Sequence, residues 1–205
     1  MAVTPKPSSP GVLEIPPLQL RTVDIHIVGD SPLITHAWSA KAKQEMRDAQ
    51  MGKARTKKAP KDPEAEYQGA FYRCPDGRPA VPTLAFKNAA VDAATQVSGL
   101  TKTYLRGVFH TVGEMVVVEG TPRMREDMVR VGMGTADIRY RPEFPEWAVR
   151  LRVRFNTAAI TLEQLIHLFN CAGFAVGVCE WRPQRDGAFG MFHIAGIEEV
   201  DDSSS

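Results

Sequence analysis

No run of eighteen apolar residues occurs anywhere in this 205-residue chain, so no membrane span is expected. The first thirty residues open on Pro, Ser and Lys instead of a charged start followed by an apolar stretch. That excludes a secretory signal from the reading and leaves a cytoplasmic protein as the expectation. Cysteine is scarce. Cys74, Cys171 and Cys179 form no C-x-x-C pair and leave one thiol over whatever the bridging, which argues against a disulfide scaffold and a cysteine-rich zinc site. They are expected to be reduced, with Cys171 in the core. There is no G-x-S-x-G elbow, Walker loop or dinucleotide fingerprint, and Gly132-Met133-Gly134 lacks the third glycine and the helix that should follow. The histidines His26, His36, His110, His167 and His193 never fall at the H-x-x-x-H spacing that sets two ligands on one helical face. No catalytic residue, metal site or cofactor is therefore expected.

An excess of one charge is also missing, with 25 basic against 24 acidic side chains and 43% apolar residues, the profile of a compact domain. The even total hides an uneven distribution. Between positions 41 and 61 stand Lys41, Lys43, Arg47, Lys53, Arg55, Lys57, Lys58 and Lys61 against only Glu45 and Asp48. Such a run is either a solvated helix or mobile loop, or an arm that binds phosphates. A second cluster, Arg123, Arg125, Arg130, Arg139 and Arg141, falls within 121–146, an irregular stretch with glycines and prolines that reads as a long insertion.

The apolar pattern supplies the framework. Val23, Ile25 and Ile27 alternate with Thr22, Asp24 and His26, which predicts a first strand over 20–28. Good helix formers fill 38–58, and Pro60 and Pro63 stop that run. After a turn at Pro75-Asp76-Gly77, a helix is expected from about 83 to 97, with Phe86, Ala89, Ala90, Ala93 and Val97 on one stripe. A further strand is expected over 114–118. The cleanest alternation lies at 147–155, where Trp147, Val149, Leu151, Val153 and Phe155 face one way and Arg150, Arg152 and Arg154 the other. Thr161 and Gln164 form a capping box for a helix with Leu162, Leu165, Ile166 and Phe169 inward, and Gly173 suits the position past its end. The segment 174–181, a turn at 184–187 and a closing strand over 189–194 complete the chain.

The resulting order is that of an α+β fold: a ferredoxin-like or RRM-like antiparallel sheet with two helices on one face. A single domain over 20–196 carries insertions at about 36–69 and 121–146. Residues 1–19 and the acidic, Ser-rich 197–205 read as tails.

Arginine outnumbers lysine sixteen to nine, and a guanidinium both binds phosphate bidentately and stacks on a base. The row Arg150, Arg152 and Arg154 thus reads as a nucleic-acid contact, or alternatively as a salt-bridged sheet surface paired to Asp24 or Glu114. Lys87 is a further phosphate candidate near its helix start. Trp38, Tyr140 and Trp181 lie beside basic residues and either stack bases or anchor their loops.

Three segments in order resemble the RAMP superfamily, the RRM-like proteins that form the backbone of CRISPR effector complexes. They are the opening strand with Ser31-Pro32-Leu33; the stretch VPTLAFKNAA at 81–90, similar to the family's IPGSSLKGALR loop and helix start; and GFAVGVCEWRPQRDGAFGMF at 173–192, similar to its glycine-rich terminal loop. Thr83, Leu84 and Ala85 replace Gly-Ser-Ser, and Asn88 replaces the glycine after Lys87. No histidine or aspartate matches a nuclease position of the family securely, Asp30 being a weak match, so cleavage is not carried over. The resemblance implies a non-catalytic protein that binds single-stranded RNA or DNA and assembles as a homo-oligomer or filament, or with other effector-complex subunits. It places the 121–146 insertion where backbone subunits have the thumb that enters the guide. A viral single-stranded DNA-binding or annealing protein, an inhibitor imitating a RAMP subunit, and a metal-dependent ribonuclease are the alternatives.

Overall fold

The computed structural model describes residues 17–53, 60–131 and 135–200. Strand β1 (Leu20–Gly29) buries Val23, Ile25 and Ile27 completely and turns Asp24 and His26 the other way. It lies between two antiparallel partners, β9 (Ala148–Asn156) and β10 (Phe192–Glu199), and the three-residue β5 (Phe109–Thr111) closes the sheet on the far side of β9. The order β10-β1-β9-β5 is fourth, first, third and second among the core strands, the arrangement of the ferredoxin-like fold.

The inward row of this sheet packs under helices α3 (Thr83–Asp92) and α5 (Leu162–Ala175), where Phe86, Phe169 and Phe192 join Leu151, Val153 and Phe155 in one core. The capping box forms as its sequence requires: the Thr161 hydroxyl accepts from the Gln164 N–H, and the Gln164 side chain accepts from the Thr161 N–H. Gly173, however, lies within α5 instead of beyond its end. A Cβ there would collide with the Phe192 carbonyl, so the residue is small to let α5 lie against β10. Gly177, at φ +69°, occupies the left-handed position after the helix.

The second core strand is β5 instead of the expected strand at 114–118. A short helix, α4 (Lys102–Val108), which is too brief to show helical periodicity, delivers Phe109 to the core. The chain then turns at Gly113, φ +82°, and β6 (Met115–Val117) joins a separate small sheet with β4 (Pro79–Pro82) and β3 (Tyr72–Arg73).

The basic helix α1 (Ala40–Gln50) starts at a Ser39 cap and stops at Met51, short of the expected end at 58. Pro63 begins a helix, α2 (Pro63–Gly69), where its missing N–H costs nothing and Asp62 accepts from the Glu64 and Ala65 N–H groups. α3 gives way to a 3₁₀ turn over Ala93–Gln96.

The 121–146 insertion is regular. Strands β7 (Arg123–Val131) and β8 (Thr135–Phe144) pair antiparallel from Arg123↔Glu143 to Val131↔Thr135, and β2 (Leu33–Ile34) adds to the base of β8. These strands carry no apolar alternation, because their alternating inward residues include Arg125, Asp127, Arg141 and Glu143. At the C-terminal end, 174–181 is the last turn of α5 and a loop, and β10 continues through Ile197, Glu198 and Glu199, which the tail assignment had excluded. Val23↔Glu199 and Asp24↔Glu198 pairing holds that end in the sheet. No helix among the described residues is long and apolar enough to cross a membrane.

Candidate nucleic-acid interface

Both helices cover one face of the main sheet, and the other face presents the outward row of each strand. Cross-strand register places His26 opposite Arg150, Asp24 opposite Arg152, and Thr22 opposite Arg154, which in turn faces His110 on β5. The arginine row read from the sequence is therefore real. Two of its members are neutralised within the molecule. Arg152 makes a bidentate pair with Asp24, both bonds 2.8 Å, and Arg150 reaches Glu198 at 3.2 Å. The guanidinium beside Asp24 holds that carboxyl below its ordinary value, chiefly through the hydrogen bond. Of the two partners weighed from sequence, Asp24 is used; Glu198 lay in the segment read as tail. Arg154 is exposed and carries no ion pair among the described residues.

Four of the five insertion arginines also lie beside a hairpin carboxylate, and of these only Arg141 is buried. Arg123 bonds Glu143 at 2.7 Å, Arg125 bonds Asp127 at 2.7 Å and Glu143 at 3.1 Å, and Arg141 approaches Asp127 at 3.4 Å. Arg141, Asp127 and Glu143 are buried, and the Arg141 Nε has no hydrogen-bond partner. Arg139 lies 3.7 Å from Asp137, while Arg130 is exposed and has no ion pair among the described residues. The outward ladder instead places Met128 opposite Ile138 and Met124 opposite Pro142, with Met128 79% exposed. The inner side of the hairpin thus holds a buried polar network of Arg141, Asp127 and Glu143, while its outer surface is partly apolar.

In the basic segment, Lys43 and Arg47 are exposed on α1 without acidic partners among the described residues, whereas Lys53 pairs with Asp48 at 2.9 Å. Lys61 bridges Glu66 and Asp137, and the Asp137 hydrogen bond raises its pKa. Lys41 lies in α1. Arg55, Lys57 and Lys58 lie outside the described residues. Lys87, on α3, reaches the β5 edge of the main sheet, where its ammonium donates to the Arg106 carbonyl at 3.1 Å and to His110 Nδ1 at 2.9 Å.

A cleft of about 280 Å³ opens between α3 and the loop after α5, with His36, Tyr72, Asn88, Asp92 and Glu180 on its walls. Cys179 and Trp181 in that loop hold φ at +63° and +54°, values that side-chain-bearing residues rarely adopt. Trp38 and Trp181 are exposed, and Tyr140 is half-buried. Asp30, the weak nuclease match, bonds His193 Nδ1 at 2.6 Å. No cluster of three or more potential metal ligands occurs among the described residues. The short α4 and β5, which carry Arg106 and His110 on either side of the buried Phe109, are too brief to leave a periodic signal in the sequence.

Fold and surface together define a class: a ferredoxin-like α+β domain bearing a long β-hairpin and a helix-free sheet face. No family model and no curated protein matches the sequence. Among solved structures, the chain is similar to one in the Type III-B Cmr-beta complex bound to cognate target RNA, with a TM-score of 0.50 and 7% identity over 89% of this chain. It spans 61% of that chain's length. Cmr6 from Pyrococcus furiosus aligns with a TM-score of 0.41 and 10% identity, over 86% of this chain and 99% of the other. The first likeness shows a shared fold.

Proposed function

We propose that this chain is a non-catalytic subunit of a CRISPR-type, RNA-guided assembly that binds single-stranded nucleic acid and occupies a backbone position beside further subunits. The observation that carries this reading is the helix-free sheet face, on which Arg150, Arg152 and Arg154 stand in a row with His26 and His110 beside them. The structural neighbour in an assembly bound to target RNA supports it. Lys43 and Arg47 on α1 add unpaired positive charge. Contacts of this kind read the backbone, so affinity falls with rising salt and sequence preference is weak.

The test is purification under low salt, the ultraviolet absorbance ratio that separates nucleic acid from protein, and nuclease typing of any co-purified polymer. Co-purified RNA, or tighter binding of an RNA than of a DNA oligonucleotide of the same sequence, supports the reading. Failure of both polymers to bind at low ionic strength overturns it.

The internal ion pairs of Arg150 and Arg152, with the exposed Met128 and Ile138, favour a second reading: a protein-binding module that joins such an assembly through the outer face of the hairpin. Under it, Arg150→Glu with Arg152→Glu leaves nucleic-acid retention unaltered, and Met128→Asp abolishes partner capture.

A further inference from the structure

We infer that the free edge of the main sheet, at β5, is a phosphate-binding site built by Lys87, Arg106, His110 and Arg154. The inference deepens the proposed nucleic-acid reading, on which its choice of ligand rests.

The chemistry begins with what these side chains offer. The Lys87 ammonium has three donors and no acceptor. One goes to the Arg106 carbonyl and one to His110 Nδ1, which leaves a third N–H uncommitted. Because Nδ1 of His110 accepts this bond, the neutral ring carries its proton on Nε2, a further donor on an exposed residue. Arg154 faces His110 across the β5–β9 ladder, so the two side chains share one face of the sheet at neighbour distance. Arg106 lies in the last turn of α4, directly before β5.

Electrostatics sets this group apart from the ion-paired basic side chains. Arg21, Lys53, Lys61, Arg78, Lys102, Arg123, Arg125, Arg139, Arg141, Arg150 and Arg152 each have a carboxylate partner. Among the described residues Lys87, Arg106 and Arg154 have none, as is also true of Lys43, Arg47, Arg73, Arg130, Arg182 and Arg185, so it is their placement around His110 and β5 that marks them. The Lys87 partners are neutral acceptors, and burial alone lowers its pKa. The ammonium contacts the imidazole, Arg154 stands opposite that residue across the ladder, and Arg106 sits at the end of α4 just before β5, so cationic donors without a carboxylate gather at this edge. Such a set is stabilised by an oxyanion, and a phosphodiester supplies one without also requiring a donor in return. Phe109 lies beneath, fully buried, with the ammonium 5.9 Å from its ring centroid, so the strand that positions His110 is fixed to the core.

The experiment measures binding of a fluorescent uridine oligonucleotide across a salt series by the wild type, Arg106→Gln, Arg154→Gln and the double variant. Both arginines are exposed and their side chains unpaired, so the variants fold as the wild type does. Arg78→Gln, on the β3–β4 turn, is the control. Each site variant is expected to weaken binding several-fold and to reduce the slope of log affinity against log salt by about 0.7. Wild-type affinity and slope in the double variant overturn the site while leaving nucleic-acid binding by the chain intact. If the wild type retains no oligonucleotide at low salt, the wider reading fails. The site is then decided by inorganic pyrophosphate, titrated while the His110 ring resonances are followed. Shifts that vanish in the double variant support it, and their absence in the wild type overturns it.

Discussion

Arg141 and Asp127 meet diagonally across the β7–β8 ladder, 3.4 Å apart, with neither side chain as much as a tenth exposed. Removing Asp127 leaves the buried Arg141 with only Glu180, 3.9 Å away, to offset its desolvation, which costs more than the pair itself contributes. Asp127→Ala is therefore expected to lower stability by about 3 kcal/mol in urea unfolding. Asp127→Ala combined with Arg141→Met is expected to recover most of that loss. A single variant as stable as the wild type contradicts the buried network.

Gly173→Ala tests the contact between α5 and β10. The added methyl meets the Phe192 carbonyl, which belongs to a paired strand and has little room to retreat. Overpacking of this kind costs about 1–3 kcal/mol, against the gain in helix propensity that alanine normally brings. Thermal unfolding reads the sign directly, and a raised midpoint would show that the close approach is not limiting.

The pH dependence of stability has two separate acid windows. Burial, then the Arg141 charge, depresses the His36 pKa below 6.5, with Glu180 and Glu66 opposing and Arg139 reinforcing the shift. The unfolded chain then takes up the proton first, so stability is complete above about 6.5 and declines as pH falls toward the folded value. Asp24, depressed below 3.8 chiefly by its Arg152 hydrogen bond, contributes above that value and loses its contribution as pH falls through the folded pKa. Unfolding midpoints across pH should show both declines. His36→Gln removes the upper one and Asp24→Asn reduces the lower.

Cys179 lies in the strained loop after α5. Burial of its thiol pushes the pKa up to about 12, although the residue as a whole is half-buried. The thiolate is the reactive species, so Cys179 should resist iodoacetamide at mildly alkaline pH in the folded protein and react on denaturation. Mass spectrometry of the alkylated peptides measures this, and rapid native labelling would show the loop to be open.

The apolar alternation of β1 and β9 and the capping box of α5 were legible because each is local: a period of two, or a spacing of three, written in consecutive residues. The hairpin was not legible as strands. Its inward face is polar, and only the partner strand makes Arg125, Asp127, Arg141 and Glu143 acceptable inside. Pro63 carried the opposite meaning in sequence and structure because a proline both ends the helix before it and begins the one after it.

The site shows the same division. The sequence by itself determined that Arg150, Arg152 and Arg154 share a face, since residues two apart on a strand must do so. Which of them keeps a free charge was decided by tertiary structure: Asp24 and Glu198 arrive beside two of the three from strands far away in the chain, and none arrives beside Arg154. An ion pair depends on which strands become neighbours and in what register. That is a property of the folded sheet, and no pattern along one strand contains it.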